Sequence, residues 1–472
     1  MEITNYTENE LLSKFNVKCD EHTDTELFVS IMNGNFNKDI DENMDPNILF
    51  NIGKYFKSVK QPDGYNYDMM KKCYMMAINA PHNNDASHLA MTSLGDYYYK
   101  IEKDYDMMEK YYLMAINAPY NKGNVIAMYK LGNYYQNIKQ PDGYNYDMMK
   151  KYYMMAINAP HNKGSTDAMT DLGLYYYEIE KDYDMMKKYY MMAINAPHNK
   201  GSTDAMTHLG FYYYEIEKNY DMMKKYYMMA INAPHNNGNI TAMNNLGLYY
   251  FQIEKDYDMM KKYYMMAINP PDNKGHVGAM NSLGIYYYQI EKDYDMMKKY
   301  YMMAINAPHN KGHVGAMNNL GLYYYKIEKD YDMMKKYYMM AINASNNNGG
   351  AGAMNNLGIY YYEIEKDYEK AIMYYMMAIE KGNDAEISNA CNNLWIYYRD
   401  IKQPDGYNYD MMKKYFKMSK IFSHPVSEEE EKEECFICYE NKKMYYTHCK
   451  IHYICSDCSI KLVCELCPMC RQ

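Results

Sequence analysis

Tryptophan is almost missing from this chain: Trp395 stands alone in 472 residues, beside 63 tyrosines and 50 methionines. Cysteine is sparse over most of the length, with only Cys19, Cys73 and Cys391 before residue 435. A secreted disulfide scaffold spreads its cysteines through the fold, so this distribution argues against one. No apolar run approaches the roughly 18–20 residues of a membrane span. The opening stretch from Met1 to Glu10 is polar and acidic, without the basic-then-apolar order of a secretory signal. Positive charge is not in excess either: the net charge is -9 and the pI about 5.8. The lysines are interleaved with Asp and Glu, whereas phosphate contacts need clustered Lys and Arg. These absences predict a soluble, intracellular chain, cytoplasmic or nuclear, that binds neither nucleic acid nor membrane. The repeats also lack a nucleophile–base set, a phosphate loop and a dinucleotide fingerprint, which leaves little room for a conventional enzyme. Tyr, Met, Asn, Lys and Ile share AT-rich codons, so their surplus says little about function.

What is present is a phrase repeated along the chain: a Leu-Gly pair, a tyrosine run, Asp-Tyr, then a Met-rich stretch ending in Ala-Ile. Its anchors are Leu94, Leu131, Leu172, Leu209, Leu246, Leu283, Leu320, Leu357 and Leu394, mostly 37 residues apart. The step from Leu131 to Leu172 is 41, the surplus falling at Gln140-Pro141-Asp142-Gly143; the same insertion recurs at Gln61 and Gln403. With a degenerate first unit at Ile52-Gly53 there are ten units. A period of this length is that of a solenoid.

Each unit reads as two helices. In the stretch from Ser165 to Pro197, Ser165 or Thr166 caps the first helix and Asp167 favours its dipole. Ala168, Leu172 and Tyr176 make one apolar face, and Gly173 lets a neighbouring helix approach. Glu180-Lys181-Asp182 is a polar break. Tyr183, Met186, Tyr190 and Ala193 share a face of the second helix, and Asp184 pairs with Lys188 on the exposed side. Pro197 stops that helix and Asn199-Lys200-Gly201 turns the chain. A lone helical hairpin cannot bury its apolar side, but stacked hairpins can. The Tyr runs and Met pairs are therefore expected to be packing first and binding surface second. The recurrent His161, His198, His235 and His309 follow prolines in turns and travel with the repeat rather than with a metal site. The organisation expected is a cap or flexible segment over 1–47, an array over 48–422, an acidic linker over 423–434 and a terminal module over 435–472.

Leu357-Gly358, Tyr361, Tyr368, Ala371, Tyr375 and Ala378 resemble a tetratricopeptide repeat. The longer period and the Ala-Met-x-x-Leu-Gly-x-Tyr opening resemble the related Sel-like repeat more closely. The small residue at Ala371 is Met in most other units, as at Met186, which departs from the pattern and would widen helix packing. The resemblance implies an all-α fold, an α–α superhelical solenoid of about ten hairpins, and a scaffold that binds a protein on its concave face.

Eight of the eleven cysteines fall between Cys435 and Cys470. Cys435/Cys438, Cys449/His452, Cys455/Cys458 and Cys467/Cys470 are pairs separated by two residues, a spacing that puts two ligands on one tetrahedral zinc. Four pairs make two four-ligand sites. His448 beside Cys449, and Cys464, which makes a further CxxC with Cys467, are alternative donors. The set resembles a RING finger, with a long first loop and a closing Cys-Pro-x-Cys-Arg that favours Cys467/Cys470. A PHD-like finger would place its His fifth among the ligands; His452 is fourth.

By that resemblance the two sites interleave in a cross-brace. Cys435, Cys438, Cys455 and Cys458 would hold one zinc, and Cys449, His452, Cys467 and Cys470 the other. The partners implied are a ubiquitin-conjugating enzyme and ubiquitin, with the substrate protein on the array. Ile437, Leu462 and Pro468 match the family's docking positions, Leu462 replacing a frequent Trp, and Arg471 matches the residue that bridges enzyme to ubiquitin. With Gln472 as the last residue, no tail for a dimer of the kind some relatives build is expected. The leading expectation is a RING-type ubiquitin ligase acting by positioning. The alternative is a non-catalytic adaptor with a structural zinc finger.

Overall fold

The computed structural model describes residues 40, 44–58, 64–80, 85–118, 124–139, 143–159, 165–196, 202–233, 239–270, 275–307, 313–344, 350–404, 406–423, 444–446 and 453–455. The helices fall into two compact units divided between Asn239 and Ile240. The first unit contains α1 (Pro46–Ser58), α2 (Tyr67–Asn79), α3 (Asp85–Tyr97), α4 (Tyr105–Asn117), α5 (Val125–Asn137), α6 (Tyr146–Ile157), α7 (Thr166–Tyr175), α8 (Tyr183–Ile194), α9 (Thr203–Glu215) and α10 (Tyr220–Ile231). The second contains α11 (Ile240–Tyr249), α12 (Tyr257–Ile268), α13 (Val277–Tyr286), α14 (Tyr294–Ile305), α15 (Val314–Tyr323), α16 (Tyr331–Ala344), α17 (Ala351–Tyr360), α18 (Tyr368–Lys381), α19 (Asp384–Asp400) and α20 (Tyr409–Ser423). Two short strands follow, β1 (Met444–Tyr446) and β2 (Tyr453–Cys455). The helices pair consecutively into hairpins, and within each unit successive hairpins stack. This is the tandem helical-repeat architecture that the Leu-Gly period predicts.

The period becomes structure through one close contact. A Cβ added to Gly173 would lie 2.6 Å from the ring of Tyr190, on the partner helix of its own hairpin. Gly247 faces Tyr264 and Gly358 faces Tyr375 in the same way. Each of these rings is buried, so the glycine is where the two helices of a hairpin press together on an aromatic wedge. Ala168, Leu172, Met186 and Ala193 are buried in the same repeat.

Ser165, rather than Thr166, caps α7, its Oγ accepting from the Ala168 N–H at 3.1 Å. Asp182 caps α8, accepting from Met185 N–H at 2.9 Å. Between them the first helix ends in a π-helical turn, Tyr176–Glu180, and Lys181 turns the chain with φ 55°. That widened turn brings the Glu180 carboxylate within 2.6 Å of the Tyr175 hydroxyl five residues earlier.

Three details depart from the sequence reading. The fully buried ring of the run is Tyr175, while Tyr176 is half-buried and stacks on Tyr189. Three residues one α-turn-plus apart drift about 40° per step, so Tyr176 lies about 80° from Ala168. Asp184 pairs with Lys187 at 3.7 Å, while Lys188 lies over the Tyr189 ring. Methionine is divided: Met169 and Met186 are core, but Met191 and Met192 are exposed.

The Gln-Pro-Asp-Gly insertions occupy the turn within a hairpin. Gly64, Gly143 and Gly406 take φ near 110°, a region that only glycine adopts freely. At the last of these, Gln403 and Gly406 exchange backbone hydrogen bonds of 2.8 and 2.9 Å. The next helix is then capped by Asn66, Asn145 or Asn408 in place of aspartate.

Candidate functional site

The terminal cluster named from the sequence lies almost wholly outside the described residues. That holds for Cys435, Cys438, Cys449, His452, Cys458, Cys467 and Cys470, for His448 and Cys464, and for Ile437, Leu462, Pro468 and Arg471. Cys455 is the last residue of β2, and β2 pairs antiparallel with β1 so that Cys455 stands opposite Met444. Cys449 and His452 fall in the chain between the two strands.

The other described thiols are of a different kind. Burial pushes Cys73 and Cys391 up to about 12, which makes them neutral core residues rather than nucleophiles or metal ligands. His161, His198, His235 and His309 lie outside the described residues.

Within each unit, polar side chains join several repeats to the next in a recurring clamp. Lys150 sits 3.3 Å from Glu180 of the following repeat and 5.4 Å above the ring of Tyr175, whose hydroxyl donates to that same carboxylate. Lys187, Glu217 and Tyr212 repeat the arrangement, as do Lys298, Glu328 and Tyr323 in the second unit. Burial, then the bond to Glu217, pushes the Tyr212 hydroxyl up to about 12; burial and Glu328 do the same to Tyr323. These phenols are permanent donors near neutral pH, and their role is to fasten neighbouring repeats.

A second link joins the exposed methionines to the tyrosine stack. Tyr189 donates to the Met154 thioether at 3.4 Å, and Tyr226, Tyr300 and Tyr337 reach Met191, Met265 and Met302 at 3.5 Å each. The second helices thus present a column of half-exposed thioethers anchored from behind. Within each unit the turns present a column of isoleucines as well, Ile179 and Ile216 in the first and Ile253, Ile290, Ile327 and Ile364 in the second, all exposed. Both columns are surface that the packing leaves over.

Two positions escaped the sequence reading. His276 caps α13 and His313 caps α15, each Nδ1 accepting from a backbone N–H (of Ala279 and Ala316) at 3.1 Å. They occupy the register of Ser165 and Ser202, three residues ahead of the Ala-Met pair. Aligning the repeats on that pair is the signal that finds them. Burial holds both imidazoles below their ordinary pKa.

Among the described residues no helix is long and apolar enough to cross a membrane. No protein-family model matches the chain, and no curated protein matches it in sequence. Solved structures do align with it. The protective antigen c5321 of uropathogenic Escherichia coli, which has an SLR fold, is 15% identical over 88% of this chain and 84% of its own, with a TM-score of 0.44. A Sel1 repeat protein from Oxalobacter formigenes is 22% identical over 54% of this chain and 100% of its own, at 0.39. The immunity protein PA5088 from Pseudomonas aeruginosa is 21% identical over 47% of this chain and 81% of its own, at 0.33.

Proposed function

We propose that the chain is a protein-binding scaffold whose hairpin array holds a protein partner. The observation that carries this reading is the leftover surface: the same thioether and isoleucine positions recur from repeat to repeat, exposed although the hairpins around them are closely packed. Methionine columns of this kind adapt to irregular apolar partners.

A second reading is favoured by the terminal residues themselves. Seven thiols and one imidazole in four two-residue-spaced pairs are a donor set that fits two zinc ions. The pairing of β1 with β2, which ends on Cys455 and encloses Cys449 and His452, is compatible with such a finger. Cys435, Cys438, Cys455 and Cys458 would hold one ion, and Cys449, His452, Cys467 and Cys470 the other. Bound zinc would supply the folding free energy that so short a segment cannot draw from an apolar core, on the order of 10 kcal/mol per site. Ile437, Leu462 and Pro468 would then dock a ubiquitin-conjugating enzyme, Arg471 would steady its ubiquitin, and the array would present the substrate.

Autoubiquitination by the purified chain with a panel of conjugating enzymes, alongside zinc analysis of the same samples, separates the readings. Ubiquitin ladders that disappear in Ile437→Ala and Arg471→Ala, with two zincs retained, establish the ligase. Two zincs and no ladder across the panel leave the scaffold reading with a structural finger. Fewer than two zincs would show the ligand assignment to be wrong.

A further inference from the structure

The helices that open the hairpins do not share one kind of cap. Ser165, Ser202 and Asn124 supply oxygen acceptors, which do not titrate near neutral pH. His276 and His313 supply a ring nitrogen instead. A nitrogen that accepts a hydrogen bond carries no proton, so both imidazoles are neutral here, with their N–H at Nε2. The residue two places on is Gly278 or Gly315, and a Cβ there would come within 2.8 or 3.1 Å of the His Cε1. In the serine-capped repeats that place holds Asp167 or Asp204. The glycine gives the imidazole room to fold back over the start of its helix.

Protonation at such a place is opposed three times over. Nδ1 becomes a donor and can no longer receive the Ala279 or Ala316 N–H. A positive charge is placed at the positive end of a helix dipole. The two histidines, in consecutive repeats, also oppose one another's charge.

Among the described residues, compensating charge is scarce nearby. α11, α13, α15 and α17 contain no Asp, Glu, Lys or Arg. α12 approaches through its C-terminal end, where Ala267 accepts from the His276 N–H. Its own charges, Asp258, Lys261 and Lys262, are near its N-terminal end, where Lys261 pairs with Asp258 and Glu291 and Lys262 lies over Tyr263. In α14, Lys298 is likewise paired, with Asp295 and Glu328, and Lys299 lies over Tyr300; in α16, Lys335 is paired with Asp332 and Glu365, and Lys336 lies over Tyr337. The connecting segments that contain Asp272, Lys274, His309 and Lys311 lie outside the described residues.

We propose that His276 and His313 are a pair of proton-sensitive helix caps, withdrawn on acidification so that the starts of α13 and α15 loosen while oxygen-capped helices stay closed. The direction follows from linkage. Burial lowers both folded-state pKa values, so the unfolded state binds protons more readily. The stabilisation is complete above the ordinary imidazole range and is lost as pH falls through the lowered folded values. This device is independent of what the array binds and of the terminal finger.

Hydrogen exchange read by mass spectrometry on the full chain, corrected for intrinsic rates, tests it between pH 7.5 and pH 5.5. Opening of segments 275–286 and 313–323 is expected to rise about fivefold, the scale of one lost cap. Val125–Asn137, capped by Asn124, is the internal control and should not change. In the double variant His276→Asn, His313→Asn, whose caps do not titrate, the response should vanish. In His276→Ala, His313→Ala the open level should already be present at pH 7.5. An unchanged wild type, or a response that survives in the asparagine variant, overturns the proposal.

Discussion

The two units are built from the same hairpin, yet their first helices are joined to one another by different chemistry. In the first unit the links are mixed and partly charged. Tyr129 donates to Asp171 at 2.8 Å, Lys130 pairs with Asp96, Asn124 reaches Thr92 at 2.9 Å, and Thr170 meets Ser202 at 3.1 Å. In the second unit the register held by Tyr129 and Asp171 becomes an amide ladder. Asn319 donates to Asn281 at 3.2 Å, Asn356 to Asn318 at 3.0 Å, and Asn393 to Asn355 at 2.9 Å. A hairpin therefore fixes where neighbours touch, while the residues at that place remain free to vary. A uniform amide pair makes neighbours interchangeable. A Tyr–Asp or Lys–Asp pair makes each junction particular to its partners, and it has a cost: burial, outweighing the Tyr129 hydrogen bond, holds the Asp171 carboxyl above its usual range.

The largest expected effect ignores the difference between the units. Gly173→Ala in the first and Gly358→Ala in the second each drive a methyl group into a buried tyrosine ring. Each should cost about 1–3 kcal/mol in urea unfolding followed by circular dichroism. A large disparity would mean that the two units are packed differently after all. The next effect divides them. Asn318→Ala removes the acceptor that Asn356 uses and should cost about 1 kcal/mol. Thr207→Ala, at the equivalent place in the first unit, removes a bond from Thr207 to the Thr203 carbonyl of its own helix and should cost less. Equal losses would deprive the ladder of any special role. The smallest runs the other way. The buried Asn244 Oδ1 has no hydrogen-bond partner among the described residues, and the residue in the donor register of the next repeat is Ser282, too short to take part in the amide pattern. Ser282→Asn should extend the ladder by one rung and stabilise by up to about 1 kcal/mol, seen as a higher unfolding midpoint.

How much of this was legible in the sequence depended on the range of the cause. The hairpins follow from Leu172, Gly173 and the Met-Met-x-x-Tyr-Tyr stretch, because periodicity records which face is buried. The cap at Ser165 follows from local chemistry, whereas Asp182 reads from the sequence only as part of a polar break. The π-helical turn was not legible, since one extra residue per turn leaves the composition unchanged and shows itself only in the meeting of Tyr175 with Glu180. The histidine caps were overlooked because histidine is an uncommon cap and the eye goes to the more numerous Pro-His turns. Met191 and Met192 were read with the core because hydrophobicity alone does not tell a buried thioether from one held at the surface by a tyrosine hydroxyl. For the terminal site, the donor spacing in the sequence remains the whole basis of the zinc and RING proposal.

The turn inside the hairpin has a consequence for how such an array can change over time. Where Lys181 closes one hairpin in a single left-handed step, the Gln140–Gly143 insertion closes another with extra chain, and in both the following helix starts under an acceptor, Asp182 or Asn145. The Gly–Tyr wedge and the tyrosine–thioether links lie elsewhere, and the turn touches a neighbouring repeat where a glutamate such as Glu180 stands before the left-handed residue. The turn is thus a natural port for added sequence: a loop of foreign origin could be spliced there, in evolution or by design, and displayed at a chosen repeat while its neighbours keep their register.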